Sequence, residues 1–137
     1  MKRKHGFTLL EVMIVLMLLV ILAGAVTPAY LNYLKKARVQ TAKSESKLLS
    51  DAVDHYYLEV GVYPSSLKAL VGNADNNEKW DGPYIKGKLP VDPWGNEYIL
   101  EIPGKEGDFD VVSRGSDGKS GGEGDAADIF SSDIAAK

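Results

Sequence analysis

Cysteine is missing from this 137-residue chain, so a disulfide scaffold and a thiolate-held zinc or iron–sulfur centre are both excluded. Histidine is scarce: His5 and His55 are the only imidazoles in the sequence, which leaves little room for His-dependent catalysis. The sequence contains no nucleophile–base pair, no His/Cys/Asp metal cluster and no phosphate loop, so a non-enzyme is expected. Charge is also lacking over one long stretch, with none between Val12 and Leu34. The length fits one folded domain with an appendage.

The charge that is present is unevenly divided. Residues 1–43 carry seven Lys/Arg and one acid, Glu11, for a sum of +6, whereas residues 44–137 carry nine basic and eighteen acidic side chains, for −9. A basic, apolar start joined to an acidic, Gly-rich end is not an ordinary soluble globule. The acidic part disfavours nucleic acid as a partner. Met1-Lys2-Arg3-Lys4-His5-Gly6 is a short basic leader, and Phe7-Thr8-Leu9-Leu10-Glu11-Val12 opens an apolar run that continues to Val26. About 20 such residues can span a bilayer. Lys and Arg just before them hold the N-terminus in the cytoplasm, with the rest of the chain outside.

Glu11 is the anomaly of this run. A carboxylate in an apolar span costs several kcal/mol and usually serves a function. It lies four residues after Phe7, one turn along the same helical face. A cut between Gly6 and Phe7 would free an α-amino group within reach of Glu11 or of a neighbour's Glu11. A plain anchor has no use for such a pair. An ordinary secretory signal, cut after Ala23-Gly24-Ala25, is the competing reading.

Lys4-His5-Gly6-Phe7-Thr8-Leu9-Leu10-Glu11 resembles the class III (prepilin) signal. The resemblance implies that a prepilin peptidase in the membrane cuts after Gly6 and methylates Phe7. It also implies a subunit of a pilus-like filament, in which apolar helices leave the inner membrane for the filament core and Glu11 guides docking.

Beyond Thr27-Pro28 the pattern changes. Leu34, Ala37, Thr41, Glu45, Leu48/Leu49, Ala52/Val53, Tyr56 and Val60 recur at three or four residues, the amphipathic helical period. No Gly or Pro interrupts residues 29–60. The spacing predicts a helix from Phe7 to about Val60, roughly 80 Å long at 1.5 Å per residue. Pro28 with Gly24 is expected to kink or melt it, either as a tolerated membrane-helix proline or as a segment that unwinds on filament packing. His55 and the Tyr56-Tyr57 pair read as core or rim packing.

Gly61-Val62-Tyr63-Pro64 stops the helix, and Pro64-Ser65-Ser66-Leu67-Lys68-Ala69-Leu70 predicts a short Ser-capped second one. Residues 97–102 and 109–113 read as strands joined by Pro103-Gly104-Lys105-Glu106-Gly107. The turn-rich segments around Trp80 and Trp94 are expected to be pinned to the core by their aromatics. The expected fold is α+β: a long N-terminal helix, apolar then amphipathic, packed on a small antiparallel sheet. Gly61-Val62-Tyr63-Pro64, Gly82-Pro83-Tyr84 and above all Asp92-Pro93-Trp94-Gly95-Asn96-Glu97-Tyr98 resemble the major pseudopilins of type II secretion systems, within the type IV pilin-like superfamily. This resemblance runs from the leader to about Ile129. It divides the chain into a leader (1–6), a transmembrane and filament-core helix (7–28) and a periplasmic domain (29–137).

Glycine fills five of positions 115–124, and Asp117, Glu123, Asp125 and Asp128 fall within twelve residues. Such a segment buries almost nothing apolar, so its ordering needs another source of free energy. A hard cation held by oxygens is one source; a flexible solvated loop is the equal alternative. The spacing is not that of an EF-hand, since Lys119 and Gly121 stand where acids or amides should. The pseudopilin resemblance implies Ca²⁺ here, held by Asp117 and Asp128 with backbone oxygens near Arg114 and Lys119. The chain departs from the family pattern at Ala126-Ala127, where an acid is usual, and Asp125 would substitute for it. Glu123 is expected to face solvent.

The resemblance implies a subunit that polymerises into a periplasmic pseudopilus and promotes export of folded proteins through an outer-membrane secretin. Its partners would be further copies, the prepilin peptidase, an inner-membrane assembly platform and minor pseudopilins. It would sit as a single-pass inner-membrane protein before assembly. The alternative is a major type IV pilin of a surface fibre; many such pilins close their C-terminal region with a disulfide, which zero Cys disfavours. The mature chain is predicted to begin at Phe7. Mass spectrometry of the purified protein checks this, and a terminus after Ala25 would mean an ordinary signal peptide.

Overall fold

The computed structural model describes residues 6–135; residues 1–5 of the leader and the last two residues lie outside it. Helix α1 runs Leu9–Val60, and a Thr8–Glu11 capping box starts it. The Glu11 N–H donates to Thr8 Oγ1 at 3.2 Å, and the Thr8 N–H points back to Glu11 Oε2 at 3.5 Å. Two of the backbone donors left over at a helix start are thereby partnered. The helix continues through Gly24 and Pro28 without a break, so neither position melts it here. Nearby, the Thr27 hydroxyl donates to the Ala23 carbonyl at 2.8 Å.

The chain divides into two compact units, Met1–Lys35 and Lys36–Lys137. In the first, the apolar side chains from Phe7 to Leu22 all face outward, and the helix is long and apolar enough to cross a membrane. The second unit has its own core. Leu49, Val53 and Tyr56 of α1 pack with Leu67, Leu70, Tyr98 and Val111, each full burial contributing about 1.5–3 kcal/mol.

The buried stripe of α1 differs upstream from the sequence expectation. Ala42 and Ser46 are buried, whereas Leu48 is 60% exposed and Thr41 is exposed. A small alanine and a polar serine are weak signals in a hydropathy pattern, which does not register them. His55 points outward rather than into the core or rim, while Tyr57 stacks on Tyr63 with centroids 4.3 Å apart.

The predicted second helix is only a 3-10 turn, Leu67–Leu70, and Ser66 makes no side-chain cap. The Ser65 N–H and hydroxyl turn instead to the Asp75 carboxylate, which also accepts the Tyr56 hydroxyl at 3.0 Å. Both predicted strands form, shorter than expected, as β1 (Ile99–Glu101) and β2 (Asp110–Ser113). A third strand, β3 (Ile129–Phe130), and a terminal turn of helix, α2 (Ser132–Ala135), were not anticipated, since two residues cannot show an alternation. The sheet is antiparallel throughout, in the order β1-β2-β3, with Leu100 opposite Val111 and Ser113 opposite Ile129. Trp80 packs edge-on against Tyr84, and its indole N–H donates to the Ala69 carbonyl at 2.8 Å.

Asp110, fully buried at the start of β2, ties the C-terminal segment down. Burial pushes its carboxyl up, but N–H groups of Lys105 and Ser132 and the Ser131 hydroxyl donate to it and hold it below the ordinary carboxylate value. A depressed folded-state pKa means that its stabilisation is present above the unfolded value, about pH 4, and is lost as pH falls through the lower folded one. Asp110→Asn is expected to lower Tm at pH 7 and to flatten the loss of stability below about pH 4, read from circular dichroism melts across pH 2–7.

Candidate functional site

Two places carry the residues singled out by the sequence. At the N-terminus, Gly6, Phe7 and Thr8 precede the first helical turn. The Gly6–Phe7 bond therefore lies in non-helical backbone, and Phe7 is 84% exposed. Glu11 stands one turn on, exposed, with Oε2 facing the Thr8 N–H. The capping role of Glu11 was legible as Thr8-Leu9-Leu10-Glu11, the S/T-x-x-E pattern, but the anomaly of a charge in an apolar run overshadowed it.

The second place is the terminal loop, and the Asp92–Tyr98 segment positions it. The buried Asp92 carboxylate accepts the N–H groups of Trp94 (3.1 Å) and Asn96 (2.8 Å) through Oδ1 and the Ser113 hydroxyl (2.7 Å) through Oδ2. Gly95, at φ +92°, completes the turn, a conformation glycine adopts without penalty. The Asn96 side-chain amide donates to the Gly115 carbonyl at 2.9 Å, the first residue of the loop's 3-10 turn Gly115–Asp117. Tyr98 donates to Glu45 of α1 at 2.6 Å, and burial together with that carboxylate pushes its phenol well above the ordinary value. The motif thus joins helix, sheet and loop.

Within the loop, Asp117 is exposed and its Oδ1 accepts the Lys119 N–H at 3.0 Å. Asp125 lies in a second 3-10 turn, Gly124–Ala126, and is half-buried; Glu123 is exposed. Asp128 is 90% removed from solvent, its side chain retaining 10% exposure. Its Oδ2 accepts Arg114 Nη1 at 2.7 Å and the Gly121 N–H at 2.9 Å. Its Oδ1 is buried with no hydrogen-bond partner. Arg114 also bridges to Glu101 of β1 and reaches Ser120 Oγ at 3.2 Å. A Cβ on Gly122 would meet the Ala126 carbonyl oxygen at 2.4 Å, so only glycine permits that backbone approach.

Asp128 and Arg114 are therefore brought together, which sequence reading missed. It assigned Arg114 only a backbone oxygen, because a side chain's reach across fourteen residues depends on the loop's path. Among the described residues no three acidic or imidazole side chains converge as a ready-made metal cluster.

Residues 29–132 match the family described as type II secretion system (T2SS), protein G, and residues 1–27 match the prokaryotic N-terminal methylation motif. The chain belongs to the type II secretion system protein G family. It is 46% identical to the type II secretion system core protein G of Vibrio cholerae, covering 94% of this chain and 92% of the relative. It is 44% identical to that of Pseudomonas aeruginosa, covering 93% and 94%. The crystal structure of the major pseudopilin from the type 2 secretion system of enterohaemorrhagic Escherichia coli is similar, with a TM-score of 0.57 at 37% identity over 69% of this chain and 86% of that one. The long helix on a three-stranded antiparallel sheet is thus the pseudopilin fold, as its family membership requires.

Proposed function

We propose that this chain is the major subunit of a periplasmic pseudopilus, structural rather than catalytic, that promotes export of folded proteins. The observation that carries this reading is one chain pairing a wholly uncovered apolar helix with a domain that has its own closed core. Uncovered apolar surface on this scale requires lipid or further copies. The subunit would first sit in the inner membrane by its single span, with residues 29–137 in the periplasm.

Prepilin peptidase would cut the exposed Gly6–Phe7 bond and methylate Phe7. In the filament the same helices would bury one another, and Glu11 would meet a neighbour's N-terminal ammonium, an ion pair strengthened by the low dielectric around it. An assembly platform and minor pseudopilins would load subunits, and the secretin would be engaged only through the growing filament.

For the terminal loop the reading we propose is a hard-cation site. Asp128 Oδ1 is a carboxylate oxygen shut away from water without a donor, a costly state unless a cation or donor reaches it. Asp117, Asp125 and Asp128, with backbone oxygens near Arg114 and Lys119, would hold Ca²⁺, which supplies charge neutralisation and a cross-link between loop segments. Affinity would be modest, since Ala126-Ala127 withhold one carboxylate.

Two outcomes are expected. Glu11→Ala should be processed and inserted but should fail to form filaments, as read by shearing and microscopy of overexpressing cells; normal filaments would defeat the docking role. Chelation should lower the Tm of the wild-type chain, and Asp117→Ala should remove that sensitivity.

A further inference from the structure

The terminal loop already contains a positive charge of its own. Arg114 follows β2 directly, and its guanidinium gathers three separate pieces of chain: Glu101 on β1, Ser120 in the glycine-rich turn and Asp128 just before β3. The side chains are 17% exposed for Arg114, 33% for Glu101 and 10% for Asp128. This is a largely desolvated cluster, not a screened surface pair. Arginine suits the position because its planar fork donates in several directions at once. A lysine would offer one point charge.

We infer that Arg114 acts as a resident cation that keeps the terminal loop closed when no metal ion is bound. This inference rests on the cation reading of the same loop and concerns what happens when that ion leaves. Loss of a bridging ion from an acidic loop ordinarily leaves its carboxylates repelling one another, and the segment opens. Here Asp128 Oδ2 has donors of its own within the chain, Arg114 and the Gly121 N–H. The clasp lies directly before β3, which pairs with β2.

One guanidinium facing two carboxylates still leaves the cluster net negative. Asp128 Oδ1, with no partner of its own, keeps the capacity to take a second cation. Arg114 therefore does two opposed things: it holds the loop ready for the ion, and its charge weakens the ion's binding.

The test uses the full-length chain in detergent, with Ca²⁺ or with EDTA, and follows melting by the fluorescence of Trp80 and Trp94 and Ca²⁺ binding by calorimetry. Wild type is expected to lose only a few degrees of Tm in EDTA, and Arg114→Gln on the order of 10 °C. With saturating Ca²⁺ the two should melt close together. Arg114→Gln should bind Ca²⁺ on the order of tenfold more tightly, an effect that a purely structural arginine would not produce.

Arg114→Lys should fall between them in EDTA, keeping the charge without the fork. Glu101→Gln, a milder change, should shift the EDTA melt in the same direction and serves if Arg114→Gln does not fold. Equal losses on chelation for wild type and Arg114→Gln would overturn the inference. Failure of the cation reading looks different: Ca²⁺ would bind neither protein, and Arg114→Gln would melt lower in every buffer.

Discussion

One buried carboxylate, that of Asp92, holds this domain in register. Its two oxygens accept three donors, two from its own turn and one from Ser113 of β2. A buried carboxylate is tolerated only when its lone pairs are filled, so the turn, the strand and the carboxylate must all be placed together. Asn96 then reaches from the turn to Gly115, and Tyr98 to Glu45. Helix, sheet and terminal loop all meet in seven consecutive residues. The segment is specific because nearly every residue in it has a bond to make.

The two halves of α1 solve opposite problems. The half beyond Lys36 buries a narrow stripe of mostly small and medium side chains against its own domain. The half before it buries nothing within the chain. The core of the second unit therefore contains no residue of the apolar half. That separation is what a subunit needs if it is to pass from lipid into a polymer without unfolding. The capping box at Thr8–Glu11 adds a local reason for helix to begin just past Phe7. The Glu11 carboxylate thus serves the helix start.

Much of this was legible in the sequence. Long-period patterns gave the helix, because its length repeats the signal many times. Glu97–Ile102 alternated clearly and Phe109–Ser113 read as a short apolar run between turns, enough to place two strands, whereas β3 was too short to leave a pattern. The Ser-capped second helix was misjudged because Ser65 found a tertiary partner, Asp75, in preference to a helix end. His55 and Leu48 faced outward for the same reason: which stripe of a helix is buried is settled by what lies opposite, and here it takes in Ala42 and Ser46 instead.

Composition and order alone fixed the chain's chemistry of location: a long apolar run that needs lipid or other copies, a single acid near its start, and a loop too rich in glycine and aspartate to order itself by burial. These are local properties, present whatever the fold. The partners of the charged groups were a different matter. That Arg114 would lie on Asp128 and Glu101, or Asn96 on Gly115, depends on where the backbone returns after many intervening residues. Such pairings hinge on distances of a few ångströms across the folded chain, and no one-dimensional pattern encodes them.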